Sequence, residues 1–477
     1  MLLMFKPRIP QKLKPIPLIG MLFQLACAGE TERPLQPEAW DQEIRLATPS
    51  DQNPEPHILE ISLEAIETTH EFTPGKATPI WTYNGSLPGP LLRAKAGDTL
   101  IAHFNNKLPS PTTVHWHGIR LPNSMDGVPG HTQPEVAPGQ SFDYIFALPD
   151  PGLYWYHPHV DSAIQVGSGL YGALWVEDPG ETADLGDPLI LVLSDIGIKE
   201  DGSLSDPSSG GDTATLFGRE GQVILVNGKI KPTLRARPGL RQRWHIVNAA
   251  KSRYFQLELD KHPFIKIGGD GGLLSEPIHN AAVVLAPGER ADLLITPNGP
   301  ANTQIPLRWI PFDRGYGSTE FRPIEDILYI QLEGDPAFDH PIPKIQRPIE
   351  SLNLDGAAQV SIRLGQAQGD TLALTINEKP SWEAVPLQAM LHDTQVWTIE
   401  NTMAWSHPFH LHGYFFQPLD EKNQPLQPLE WKDTLDIPYK QSRRIAVRFD
   451  DRPGMWMFHC HILDHADAGM MGMIKVQ

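Results

Sequence analysis

The stretch Tyr83–Asn106, YNGSLPGPLLRAKAGDTLIAHFNN, decides the fold because the chain writes it twice more. The second copy is VNGKIKPTLRARPGLRQRWHIVNA over Val226–Ala249, and the third is INEKPSWEAVPLQAMLHDTQVWTIEN over Ile376–Asn401. Each copy reads as a turn, a proline, a short strand, a second turn and an alternating strand closing on Asn106, Asn248 or Asn401. A second motif follows each first one: APGQSFDYIFALPDPGLYWYH from Ala137, APGERADLLITP from Ala286 and PYKQSRRIAVRFDDRPGMWMFH from Pro438. The order never changes. Three such copies, spaced by the size of a sandwich domain, predict an all-β chain of three consecutive β-sandwich domains over residues 57–180, 186–335 and 350–477. Stretches rich in Pro, Asp and Gly near Asp178–Pro188 and Gly334–Gly356 read as the linkers.

Composition agrees with this reading. The 477 residues are too many for one ordinary core, and 47 Pro with 40 Gly point to short strands and many turns. A formal net charge of -18, with no run of Lys and Arg, argues against a nucleic-acid partner, because phosphate neutralisation needs a basic face.

At the N-terminus Lys6, Arg8, Lys12 and Lys14 precede the apolar stretch Ile16–Ala28, too short for a membrane span but suited to a signal peptide over residues 1–28. Export to the periplasm or cell envelope is the expectation. Ala26-Cys27-Ala28 fits ordinary cleavage, while Cys27 could instead carry a lipid anchor; Gln24 speaks against the second course. Residues 29–56 are polar, acidic and Pro-rich, and predict a flexible tether.

Only two cysteines exist, Cys27 and Cys460, so a disulfide framework is not expected. Cys460 sits between histidines. Of 19 histidines, ten fall in four short clusters: His115 and His117 in HWHG, His157 and His159 in HPH, His407, His410 and His412 in HPFHLHG, and His459, His461 and His465 in HCHILDH. Imidazole serves several metals, but a thiolate beside it narrows the choice. On a strand, His459 and His461 project to one face and Cys460 to the other, so one tripeptide reaches two metal sites. Cys460 with His407, His465 and a weak thioether from Met470 makes the His₂Cys set of a blue copper centre. The other eight histidines divide evenly between the first and third repeats, which predicts a shared site at their interface, with metal loading coupled to docking. The middle repeat has no HxH pair and reads as a structural spacer that shapes a substrate surface.

These four motifs, in this order, resemble those of the three-domain multicopper oxidases, a family that includes bacterial laccases and copper-tolerance oxidases, and the resemblance runs from about Glu60 to Gln477. It implies cupredoxin-like Greek-key domains and four copper ions. His407, Cys460, His465 and axial Met470 would hold the type 1 copper, His115 and His410 the type 2 copper, and His117, His157, His159, His412, His459 and His461 the type 3 pair. The implied activity is one-electron oxidation of a small reducing substrate (a phenol, an aromatic amine or a metal ion), coupled to four-electron reduction of dioxygen to water. Oxygen reduction consumes protons. Asp126 in MDGVPG stands where many family members place an acid near the cluster, against the plain alternative of a turn-forming Asp-Gly. Asp467 stands one place beyond the Glu that relatives often carry after the last histidine, where this chain has Ala466. Asp464, between ligands, reads either as a support for one of them or as a solvated acid.

The alternative within the enzyme class is a Cu(I) or Fe(II) metallo-oxidase serving copper tolerance; the Met-rich insert that usually marks it is missing, for the methionines are scattered or lie in the last motif. Nitrite reductases lack the eight cluster histidines. Copper-free structural relatives would have lost ligands, and here all twelve candidates are in place.

Overall fold

A computed structural model describes residues 34–477, apart from 182, 316–318, 320–321, 339–340, 345–346 and 368–371. The expected signal segment with Cys27 lies outside the described residues.

Six sheets form three pairs, and each sheet draws its strands from one repeat only. The chain repeats itself in detail. In the first repeat Ile58–Thr73 runs parallel to Thr99–Asn106, which pairs antiparallel with Ser141–Ala147. Asp187–Ile196, Gln242–Asn248 and Arg290–Ile295 do the same in the second. Ala358–Gln366, Thr394–Asn401 and Ser442–Arg448 do so in the third. The parallel register ends on Ala65↔Asn106, Leu193↔Asn248 and Leu364↔Asn401, so the closing asparagines are structurally equivalent.

Side-chain chemistry explains why those residues recur. Each closing asparagine donates its Nδ2 to two later carbonyls of its own repeat: Asn106 to Ser110 and Val136, Asn248 to Arg253 and Leu285, Asn401 to Trp405 and Ile437, all at 2.8–2.9 Å. Buried carbonyls in loops and at strand ends have few other donors. The turn that opens each copy needs two successive residues at positive φ, which favours Asn-Gly. Asn84-Gly85 and Asn227-Gly228 meet that need, and Glu378 accepts φ 68° after Asn377 in the third copy. The turn asparagines accept from Glu64, Val192 and Arg363 N–H respectively, which ties each turn to its first strand.

One apolar cluster runs without a break through the first and third repeats, from Leu59 to Val476, and includes Trp116, Trp397 and Trp456. The middle repeat has its own core around Trp244 and Trp309.

The expected flexible tether requires correction over its described part. Residues 34–47 lie along the edge strand Thr233–Ala236, where the Trp40 carbonyl accepts from Arg235 N–H and the Glu43 carboxylate from Thr233 N–H. Ile44 is buried in the middle core, and Asn227 Nδ2 donates to its carbonyl. The Ala47 carbonyl then accepts from Leu91 N–H in the first repeat. An exposed strand edge leaves N–H groups unpaired, and this strap supplies them with acceptors. Polar composition concealed the single apolar anchor. Ile44→Ala is expected to cost roughly 2–5 kcal/mol of stability in the middle repeat, read as a lower midpoint in denaturant unfolding; an unchanged midpoint would return the strap to a tether.

Candidate metal centres

The structure brings all twelve candidate ligands into the buried interior; ten are less than 1 % exposed, and only His115 and His159, at 1 % and 8 %, show any surface. His115–His117 is a short strand paired with Gly152–His157, so that His115 faces His157 in register. In the third repeat His407–Leu411 pairs with Gly454–Cys460, placing His410 opposite His459. Strand alternation then does what it predicts. His459 joins His159 and His412, His461 joins His117 and His157, and Cys460 turns to His407 and His465. A further group is His115, His117 and His410. Each of these clusters at the interface mixes residues of the first and third repeats, as the even split of histidines requires.

Three short helices flank the site: α1 Ser162–Gly167, α2 Gly211–Phe217 and α3 Leu463–Asp467. His465 rides on α3. Cys460 Sγ lies 3.4 Å from His407 Nδ1 and 3.5 Å from His465 Nδ1, and those two nitrogens are 3.1 Å apart. His465 Nε2 donates to the Leu216 carbonyl of α2 at 3.0 Å, so in the neutral ring Nδ1 carries a lone pair. Asp464 is buried, accepts from Arg219 N–H at 2.7 Å and is ion-paired with the Arg219 guanidinium, which decides its role as a support. Met470 is fully buried, and its carbonyl accepts from Cys460 N–H.

Two aspartates orient the cluster. The Asp126 carbonyl accepts from His115 Nδ1 at 2.8 Å and its carboxylate from His412 Nδ1 at 2.9 Å. The Asp433 carbonyl accepts from His410 Nδ1 at 2.9 Å and its carboxylate from His117 Nε2 at 3.1 Å. Each aspartate therefore holds one histidine of its own repeat through the backbone and one of the other repeat through the side chain. Asp433 is a functional residue that sequence reading missed; the only signal was that a paired site calls for a counterpart to Asp126. Burial opposes its ionisation, but the Arg290 guanidinium outweighs that and holds it well below the usual carboxylate range. Asp467 lies on α3 itself. Its carboxylate accepts from Ala163 N–H at the start of α1, and no cluster histidine bonds to it among the described residues. Burial raises it to about 7.

These donors fit metal ions. Buried and without a hydrogen-bond partner are Nε2 of His115, His157, His159 and His410, Nδ1 of His117 and both ring nitrogens of His461. Orphaned polar atoms at this density demand an explanation. His412 and His459 each give a proton from Nδ1 to an oxygen, so their Nε2 lone pairs face each other at 3.1 Å. Only a cation between such lone pairs turns that repulsion into attraction. Burial drives His117, His157, His159, His412, His459, His461 and His465 far below the ordinary imidazole range and His407 to about 3, which keeps the rings neutral as ligation requires. The thiol of Cys460 is pushed up by burial, so its thiolate needs a bound cation as partner.

Comparison with known proteins agrees with this geometry. Profiles described as multicopper oxidase match residues 64–181, 190–305 and 353–477. The chain is 33% identical over 429 residues to the multicopper oxidase MmcO of Mycobacterium tuberculosis, covering 82% of this chain and 81% of that one. It is 29% identical to a laccase of Bacillus stratosphericus, over 89% and 96% of the two chains. Its fold is similar to a solved Campylobacter jejuni multicopper oxidase described as a metallo-oxidase, with a TM-score of 0.80, 28% identity, and coverage of 90% and 94%. With the profile matches spread over three cupredoxin-like repeats and a relative this similar over most of its length, the chain belongs to the multicopper oxidases.

Proposed function

We propose that the chain oxidises phenols or similar small aromatic donors one electron at a time and passes four electrons to dioxygen, giving water. In this reading His407, Cys460 and His465, with the Met470 thioether as a weak fourth donor, would hold the type 1 copper. His115 and His410 hold the type 2 copper, and His117, His157 and His461 with His159, His412 and His459 hold the type 3 pair. Bound copper supplies four one-electron stores, which match single-electron donors to a four-electron acceptor. One observation carries the reading: His459-Cys460-His461 puts a thiol in one donor group and the two flanking imidazoles in two others. The chain thus links the sites through a few covalent bonds. Asp126 touches two cluster histidines and is the group we assign to proton delivery. Asp467 ties α1, which follows His159, to α3, which carries His465. Export of the chain, cleaved or lipidated near Cys27, belongs to the same reading and is checked by mass analysis of the mature N-terminus.

A second reading, oxidation of Cu(I) or Fe(II), is favoured by a specific feature. The outer nitrogen of His465 is bonded to the Leu216 carbonyl of α2, and the whole ring is buried. That cover suits a small ion better than a flat ring. Rates with a panel of phenols set against Cu(I) and Fe(II) decide between the two.

The axial position offers a graded test. A thioether stabilises Cu(II) relative to Cu(I), so Met470→Leu is expected to raise the type 1 potential in a redox titration of the blue band. An unchanged or lower potential would return Met470 to the core.

A further inference from the structure

We propose that Arg290, contributed by the middle repeat, is a positioning residue for the trinuclear site: it locks the Asp433 carboxylate against His117, so the repeat without ligands sets the geometry of the ligands in the other two. The inference rests on the ligand assignment above.

The two aspartates match in hydrogen bonding and differ in charge. Asp433 receives both Nη groups of Arg290, at 2.7 and 2.5 Å. Asp126 has no Lys or Arg partner among the described residues. All five N–H groups of the Arg290 side chain are used. Nε donates to the Leu153 carbonyl of the first repeat, Nη1 to Gly288, Nη2 to Asp270, and one hydrogen of each Nη to Asp433 of the third. A planar five-donor fork fixes the plane of a carboxylate, whereas an ammonium fixes only its distance. The carboxylate in turn accepts from His117 Nε2 and from Thr434 Oγ1, whose oxygen lies 3.2 Å from His410 Nδ1. The clamp therefore reaches one histidine we assign to type 3 and one we assign to type 2.

The repeats themselves mark Arg290 as special. In strand register it faces Val247, the residue before Asn248; the equivalent positions before Asn106 and Asn401 face Ser141 and Ser442. Both serines are exposed, whereas Arg290 is buried. Space has been cleared for it. Gly118, directly after HWH and at φ +88°, would put a Cβ 2.5 Å from Arg290 Nη2 and 2.7 Å from Asp433 Oδ2. A Cβ on Gly288 would come within 3.0 Å of His117 Cε1 and 3.1 Å of His461. The APGER turn thus closes directly on the rings of the cluster.

The test uses copper-loaded Arg290→Lys and the double variant Arg290→Met/Asp433→Asn, which removes both charges together and carries the test if the lysine variant fails to fold. The readouts are the type 2 electron paramagnetic resonance signal, the rate at which a chelator strips that copper, and the blue band as an internal control. Arg290→Lys is expected to keep the blue band, shift the type 2 hyperfine splitting and lose type 2 copper about tenfold or more faster than the parent, the usual scale for a residue that orients a ligand. The double variant is expected to do the same. A parent-like type 2 signal and parent-like copper loss in a folded variant would overturn the proposal and leave Arg290 an ordinary buried ion pair. Failure of the underlying reading is seen separately: the parent would lack a type 2 signal, or His410→Ala would retain it.

Discussion

Cys460→Ser is expected to abolish the intense visible absorption and all oxidation of donors while leaving a folded chain that still binds copper at the trinuclear cluster. The replacement is nearly isosteric and the site is closed, so packing around Phe409, Phe458 and Trp397 has little reason to change. The chemistry changes completely. Sγ lies 3.4–3.5 Å from the two Nδ1 atoms it would join in holding an ion, and a hydroxyl is a far harder donor and ionises far less readily than a thiol. Serine keeps the backbone between the sites but removes the thiolate that would couple the type 1 ion to it, so electrons taken from a donor lose their path to His459 and His461. Absorption spectra, copper analysis and oxygen uptake on the purified variant read all three effects. Strong visible absorption surviving in Cys460→Ser would remove the thiol from the coordination sphere.

The second large effect is expected from His410→Ala, with His115→Ala as its counterpart. His410 is fully buried, gives Nδ1–H to the Asp433 carbonyl, keeps Nε2 without a partner and stacks on His117 with ring centroids 3.8 Å apart. Removing the ring deletes one of the two ligands assigned to type 2 and leaves the Asp433 carbonyl with only the Leu411 N–H as donor. The type 1 group, built from His407, Cys460 and His465, contains no atom of His410. The variant is therefore expected to stay blue, to bleach when a reductant is added, and to stay bleached in air, with turnover at background. Normal oxygen consumption by either variant would show that the type 2 division of the ligands is wrong.

How much of this was legible from residues follows a physical line. The three-fold repeat, the closing asparagines and the Asn-Gly turns depend on contacts within a strand pair or a turn, where neighbours in space are neighbours in sequence or lie at a fixed register. The split of His459-Cys460-His461 between two sites needs only the two-residue period of a strand. The twelve ligand candidates could be named for the same reason, since metal donors cluster in short motifs.

What stayed hidden depends on partners far apart in the chain. His117 and Asp433 meet across 316 positions and His465 and Leu216 across 249, and no local pattern announces either pair. The middle repeat looked like a spacer because it carries no ligands, yet its Arg290, Gly288 and Leu216 all touch the sites. Asp464 became a buried partner of Arg219, and the Asp467 carboxylate became a tie to α1. Residues 34–47 became a strap because one isoleucine found a core and a strand edge offered unpaired N–H groups. By itself, then, the sequence determined the three β-sandwich repeats and the set of candidate metal ligands, because periodicity and spacing are local properties. Only the tertiary structure decided which nitrogen of each ring is left free and which carboxylate is held by charge, because those choices belong to whichever donors and acceptors packing brings within about 3 Å in an interior that water does not reach.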